Sequence, residues 1–341
     1  MTAATLDGTA RATAPAAWRN LVRWETGLVF LLVAVLVYGQ QSSANFFTTT
    51  NIFFIGLNMG EIAIMALPLT LIVIVGEIDL SVASMLGLSS TLMGYLYAHH
   101  WPIALCMLGV LVVGIAGGAL NGWLVTRLGL PSIAVTIGTL ALYRGLAEIT
   151  LKDQSVSWST VGLTHIGTKP VSGTQLSWAT LIFLLLAVVY GVVLHATPSG
   201  RSMYAIGLQS EAARFAGIRV KRIKFLLFVL SGFVCSFAGI LWTLRFATSR
   251  YDAGTGLELN VVAIVLFGGV SIFGGRGSIF GVFLAVVIFG CLQTALTLQN
   301  VDAQVQNVVT GALLLFSVIV PSGADAIRRL RAQVHSSSRS T

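Results

Sequence analysis

The sequence predicts an all-α integral membrane protein of about ten transmembrane helices, with both termini on the cytoplasmic side. Three observations carry this. Charged residues make up only 9% of the 341 residues, against roughly 25% in a soluble domain. Apolar residues reach 56%, too many for a water-facing surface. They also cluster in runs of about 20 residues without strand-like alternation, the length of a helix that crosses a bilayer.

The expected spans lie at 25–39, 52–75, 79–98, 102–126, 131–150, 178–195, 225–245, 258–273, 279–298 and 303–320. Pro102, Pro131, Pro198 and Pro321 mark boundaries. His99, His100 and Trp101 form the turn between the third and fourth spans. Two polar tails, 1–23 and 322–341, flank one membrane domain over 24–321. The first apolar run begins far from Met1 and lacks a small-residue cleavage site, so no cleavable leader is expected. Two spans must share 52–98 with little loop at Gly76-Glu77-Ile78-Asp79, and Pro68 is expected to break or kink the first of them.

The formal net charge of +8 reflects orientation rather than nucleic acid, because no basic patch is interleaved with aromatics. With both ends inside, Arg11, Arg19, Arg23, Arg127, the basic residues of 196–224, Arg276 and the C-terminal arginines are all cytoplasmic. Arg144, Lys152, Lys169, Arg245 and Arg250 are the exceptions. Cys106, Cys235 and Cys291 sit in apolar runs, with no CxxC pair and no metal-ligand spacing.

Ionisable residues within spans are costly and usually have a task. Arg144 and Glu148 stand four apart and are expected to pair along one helix. Asp79 either caps the helix after it, or lines a polar path or holds the broken helix in shape. Gly114, Gly118 and Gly122 share one helix face, and Gly277 and Gly281 repeat the spacing; both sets read as close-packing devices. The amides Asn58, Asn121, Gln293 and Asn307 either join helices or bind hydroxyls.

The loop 196–224 carries Arg201, Glu211, Arg214, Arg219, Lys221, Arg222 and Lys224. Within it, 210–218 reads as a short helix that Ser210 caps and Gly217 ends, with Glu211 in its first turn. Ala212, Phe215 and Ala216 share its apolar face. Such a helix needs a protein partner to cover it; the alternative is a basic loop lying on anionic membrane lipid.

Glu211-Ala212-Ala213 followed by Gly217 resembles the coupling loop of ATP-binding-cassette importer permeases. Two further runs narrow the resemblance to the monosaccharide group (ribose, xylose, arabinose, rhamnose), related to autoinducer-2 permeases. Val75-Gly76-Glu77-Ile78-Asp79-Leu80-Ser81-Val82-Ala83 is similar to the Gly-Gly-Ile-Asp-Leu-Ser-Val-Gly signature, with Glu77 and Ala83 replacing glycines. Gly268-Gly269-Val270-Ser271-Ile272-Phe273-Gly274-Gly275-Arg276-Gly277-Ser278 is similar to a second family stretch. The Ala66-Leu67-Pro68-Leu69-Thr70 run is partly shared with autoinducer-2 permeases, while the extra carboxylate Glu77 leans toward the rhamnose branch.

The resemblance implies a non-enzymatic, multi-pass subunit of a bacterial inner membrane. It implies a coupling helix contributed by Glu211, Ala212, Ala213, Phe215 and Gly217, docked on a partner ATPase. No cofactor is expected on this chain: no Gly-Lys-Ser/Thr phosphate loop occurs, so ATP would be hydrolysed by the partner. A periplasmic or extracellular sugar-binding protein would deliver the solute, with the loop 152–177, including Trp158 and His165, as its contact. The permease would form a homodimer or a heterodimer with a related chain. Asn58, Glu77, Asp79, Ser81, Gln293 and Asn307 are the candidate path residues. The competing expectation is a self-sufficient secondary transporter or channel, which would need a chain of intramembrane carboxylates or an inverted repeat.

Overall fold

In the computed structural model, residues 17–157 and 161–313 are described, together with Leu315 and Ile319. The tail segments 1–16 and 322–341, and Trp158, lie outside the described residues. Helix α1 (Ala17–Ser42) begins inside the segment expected as a polar tail. It is followed by α2 (Thr49–Ile74), α3 (Val82–Ala98), α4 (Ile103–Arg127) and α5 (Ser132–Leu151). After β1 (Val156–Ser157) come α6 (Val161–Thr168), α7 (Trp178–Ala196), α8 (Pro198–Leu208), α9 (Ser210–Phe215) and α10 (Val220–Phe246). There follow β2 (Thr248–Ser249), α11 (Leu257–Phe267), α12 (Ile279–Leu298) and a further helical segment over 303–313. The strands β1 and β2, far apart in the chain, pair antiparallel in a minimal hairpin-like sheet.

Among the described residues, seven helices are long and apolar enough to cross a membrane. The spans expected at 79–98 and 258–273 are shorter as helices, 17 residues in α3 and 11 in α11. At 1.5 Å per residue, α11 covers roughly half of a bilayer core of about 30 Å. Its apolar run continues in sequence, but Gly268 and Gly269 stop the helix, Gly269 with φ +86°. Trp24 of α1 covers that stop, its indole nitrogen donating to the Phe267 carbonyl at 3.1 Å.

Helix α2 is the central post, buried almost continuously from Met59 to Ile74. The break expected at Pro68 does not occur: α2 runs through it to Ile74, where Gly76, at φ +81°, turns the chain. Neighbours pack along the whole length, so the helix is held by tertiary contact and not by its own ladder alone. Against this post stand α10, α7, α12 and α11, while α3 packs on α10 and α5. Helix α4 meets α10 through glycines: a Cβ at Gly118 would fall on the Phe228 carbonyl, and one at Gly114 on the Ser236 side chain. The close-packing reading of Gly114, Gly118 and Gly122 therefore holds. It does not extend to Gly277, which lies in a loop at φ +148°. Outer faces of α4 and α7 present exposed Leu108, Val112, Val188 and Val192, as a lipid-facing surface requires.

The bundle has two distinct ends. At one, the turn 75–81, α8, α9 and the loop 268–278 meet: the Gly275 amide donates to the Ile74 carbonyl at 2.8 Å. At the other end lie β1, β2, α6 and the loop 247–256.

Candidate functional site

The segment 196–224 holds two helices where the sequence suggested one. Pro198 at the first position of α8, with the Thr197 side chain accepting from the Gly200 amide at 3.4 Å, starts a helix that leads straight into α9. Gln209, not Ser210, is the N-cap of α9, and it makes no side-chain cap bond. The end of α9 is as expected. Gly217 adopts φ +85°, its amide donates to the Arg214 carbonyl at 3.0 Å, and the Ile218 amide donates to Ala213 at 3.0 Å. This pair of bonds is a Schellman cap, which needs a residue free to enter the left-handed region.

That cap fixes which face looks outward. Ala213 is buried, whereas Glu211, Ala212, Ala216 and Gly217 are exposed and Phe215 is 83% exposed. Glu211 and Arg214 form a surface ion pair at 2.7 Å, and the Arg214 guanidinium lies 5.4 Å from the Phe215 ring centre. Ala212, Phe215 and Ala216, the face expected from spacing, all point outward, while Ala213 on the other side is buried against the membrane domain.

Behind α9, the turn 75–81 gathers polar groups. Lys224, in the first turn of α10, reaches Glu77 at 2.5 Å, with 16% and 14% of the two side chains exposed. Asp79 is buried. One of its oxygens accepts from the Ser81 amide at 3.0 Å and the Ser81 hydroxyl at 2.6 Å. The other accepts from Ser231 of α10 at 2.9 Å. Asn121 of α4 donates to Ser81 Oγ at 2.9 Å. Ser132 of α5 receives the Ile78 amide at 3.1 Å, so the turn is tied to α4, α5 and α10 at once. Asp79 does not cap α3, whose N-cap is Ser81; its carboxylate instead ties the turn before that helix to α10.

Of the candidate path residues, the structure brings together Glu77, Asp79 and Ser81. Asn58 lies elsewhere, near the hairpin end, accepting from Arg245 at 2.5 Å. Arg245 also meets the buried Glu61 at 3.0 Å and the Leu57 carbonyl at 2.7 Å. Gln293 sits half-buried in α12, and Asn307 is exposed beyond it. Lys224 and Ser231 were not singled out from sequence as partners of this turn, since they stand about 150 positions away along the chain.

The Arg144–Glu148 pairing expected along α5 is replaced. Arg144 donates instead to the Ala253 carbonyl at 2.5 Å and the Tyr251 carbonyl at 3.4 Å. Gly87 makes this possible, because a Cβ there would lie 2.5 Å from the guanidinium. Cys106, Cys235 and Cys291 are free and buried.

Comparison with known proteins agrees with this architecture. The profile of the family described as "Branched-chain amino acid transport system / permease component" matches residues 51–318. The chain is 31% identical over 304 residues, 87% of its length and 91% of the relative's, to the autoinducer 2 import system permease protein LsrD of Yersinia enterocolitica. It is 33% identical over 308 residues to the protein of that name from Photorhabdus luminescens, with 87% and 90% covered. To the L-arabinose ABC transporter permease protein AraH of Azospirillum brasilense it is 33% identical over 303 residues, with 89% and 88% covered. No solved structure matches the chain. With three sequence runs, an outward-facing capped helix and nearly full-length relatives in agreement, the chain belongs to this permease family, as a member of the ATP-binding-cassette monosaccharide-importer type.

Proposed function

We propose that the chain is the membrane-spanning subunit of an ATP-driven importer for one neutral, monosaccharide-sized polyhydroxyl solute, L-rhamnose or a similar sugar. The observation that carries this reading is Phe215, 83% exposed on a helix whose opposite face is anchored by Ala213. An aromatic side chain held in that position by a C-cap suits insertion into a groove of a partner ATPase.

The α9 end is assigned to the cytoplasm, since Arg127, Arg201, Arg214, Arg219, Lys221, Arg222 and Arg276 lie on elements gathered there. With helices alternating in direction, ten crossings then place both termini on that side, with α3, the short α11 and the segment from 303 counted among them. A free hydroxyl left unpaired in hydrocarbon costs several kcal/mol, so the solute needs a polar path. Two copies of the domain, identical or related, would enclose it, with Asn58, Gln293 and Asn307 as contributors. The hairpin end would receive a loaded binding protein through 152–177.

The test is reconstitution with a partner ATPase and binding protein of this importer type in vesicles. ATP-dependent uptake of L-rhamnose, L-arabinose or autoinducer 2 is expected, lost on Phe215→Asp. Uptake that runs on an ion gradient without ATP would show a secondary transporter instead.

A further inference from the structure

At the hairpin end, the last turn of α10 and the segment after it line an open cavity of about 290 Å³. That is close to the lower limit of roughly 300–1,000 Å³ for small-molecule sites. Trp242 and Phe246, ring centres 4.5 Å apart, supply its aromatic wall. Thr248, Arg250, Asp252 and Thr255 supply its polar wall.

The polar wall is built in a particular way. Arg250 donates through Nε and Nη2 to the two oxygens of Asp252, both at 2.8 Å, making a flat two-pronged pair. Each carboxylate oxygen keeps accepting capacity, and the guanidinium keeps donors that this pair does not use. The net charge of the pair is zero, so the wall offers charge-assisted hydrogen bonds without favouring an ion. Donors and acceptors side by side match adjacent hydroxyls, each of which both gives and takes a hydrogen bond.

The segment carrying this wall is fixed from below. Arg144 holds the Tyr251 and Ala253 carbonyls, the Thr91 hydroxyl donates to the Arg250 carbonyl at 3.2 Å, and β2 is paired to β1. Gly254 and Gly256, at φ +68° and +85°, shape the remaining turn. A site whose backbone is held from three directions loses little entropy on binding. This also gives Arg144 a task that a pairing with Glu148 would not.

We propose that this cavity is a receiving subsite for a single neutral monosaccharide, with an apolar sugar face against Trp242 and neighbouring hydroxyls on the Arg250–Asp252 pair. The proposal rests on the importer reading and adds a place where the solute first leaves its binding protein. A concave wall of this size suits a small solute better than a protein surface.

The experiment uses the permease–ATPase complex in lipid nanodiscs, titrated with L-rhamnose and L-arabinose while tryptophan emission is recorded. A saturable change is expected, absent in Trp242→Phe, whose remaining six tryptophans provide the baseline. Asp252→Asn and Thr255→Val should each weaken binding, the former by about tenfold, the scale of one hydrogen bond to a charged group. Melting curves on the same samples confirm that the variants are folded, and binding of radiolabelled sugar, which needs no fluorophore, should be lost in Trp242→Phe and partly kept in Trp242→Tyr. No saturation in the wild type overturns the subsite, as does a signal unchanged by Trp242→Phe and Asp252→Asn. It is also overturned if these variants weaken the loaded binding protein and leave free sugar unaffected, which would make the wall a docking face. Vesicle uptake separates the two readings: absent ATP-driven uptake in the wild type sinks the importer, while the titration still reports on the cavity.

Discussion

Lys224 closes on Glu77 across the α9 end of the bundle, joining the first turn of α10 to the turn between α2 and α3. Both side chains are mostly withdrawn from water, so each neutralises a charge that the other would otherwise leave stranded. Glu77 is two residues from Asp79, which itself holds Ser231 about two turns further along α10. Movement of α9, which precedes α10, is therefore linked through two contacts to the centre of the membrane domain.

Removing one partner of this pair should cost more than removing both. Lys224→Met and Glu77→Gly are each expected to destabilise the detergent-extracted protein by roughly 1–3 kcal/mol, below the full cost of breaking a completely buried pair because some water reaches both groups. The double variant should fall well short of the sum, as a thermal double-mutant cycle would read. Glu77→Gly restores the residue common in the family, yet here it leaves Lys224 without its partner. Additive effects would show that the two charges act independently.

Asp79 accepts three hydrogen bonds in a dry setting. Asp79→Ala leaves the Ser81 amide and two hydroxyls without that acceptor, at about 1–3 kcal/mol for each one that stays buried and unpaired. Asp79→Asn keeps the shape and one accepting oxygen. Uptake should be abolished by the first and partly retained by the second, with Ser231→Ala milder than either. Equal, complete loss in both Asp79 variants would point to a need for the charge itself.

What was legible in the sequence was local. Gly217 ends α9 because a left-handed cap is a property of one residue and its near neighbours. Gly114, Gly118 and Gly122 announce a packing face through their spacing, though not the partner helix, α10. Where the reading differed, a distant segment had intervened. Arg144 left Glu148 for carbonyls more than a hundred positions away, which a rule about one helix cannot anticipate. The apolar run through Val270 and Phe273 looked like a continued span. Its glycines instead turn it back against Ile74 and Leu208, where the Gly275 position has no room for a side chain. Among the site residues, Asp79 was visible as an ionisable group in a bad place, while Lys224 and Ser231 became meaningful only once α10 stood beside the turn.

Gly118→Leu should lower the melting temperature of the extracted protein and its yield. The side chain would have to displace the Phe228 backbone, which belongs to a helix core and cannot swing aside. Gly138→Leu is the control, since open space surrounds that position on α5. A similar change in melting from both would show that the α4–α10 contact is looser than drawn.

The Arg250–Asp252 pair sets a pH window. Hydrogen bonding to Arg250 holds the Asp252 carboxyl below its ordinary value of 3.8. A depressed folded-state value means that the contribution is complete above the unfolded value and is lost as pH falls through the folded one. Sugar binding at the hairpin end should therefore be flat between about pH 5 and about pH 8, and should weaken only in strongly acidic solution. A midpoint near neutrality in the nanodisc titration would implicate a different group.

The clearest separation of coupling from entry comes from α9. Glu211 is exposed, and its bond to Arg214 lies at the surface, so Glu211→Lys should change stability by no more than about 1 kcal/mol. Gly217→Val forces a β-branched residue to φ +85° with no neighbour to clash against, so the strain falls on the cap of α9 and not on the bundle. Both variants should insert normally and leave binding-protein affinity unchanged, because that partner would meet the opposite end. Both should also break the link between ATP hydrolysis and uptake, so that basal hydrolysis persists while its stimulation by substrate and the sugar flux are lost. The two rates, measured in the same vesicles, decide the matter. Wild-type flux in both variants would mean that 208–218 does not carry the stroke, and that its basic rim rests on lipid instead.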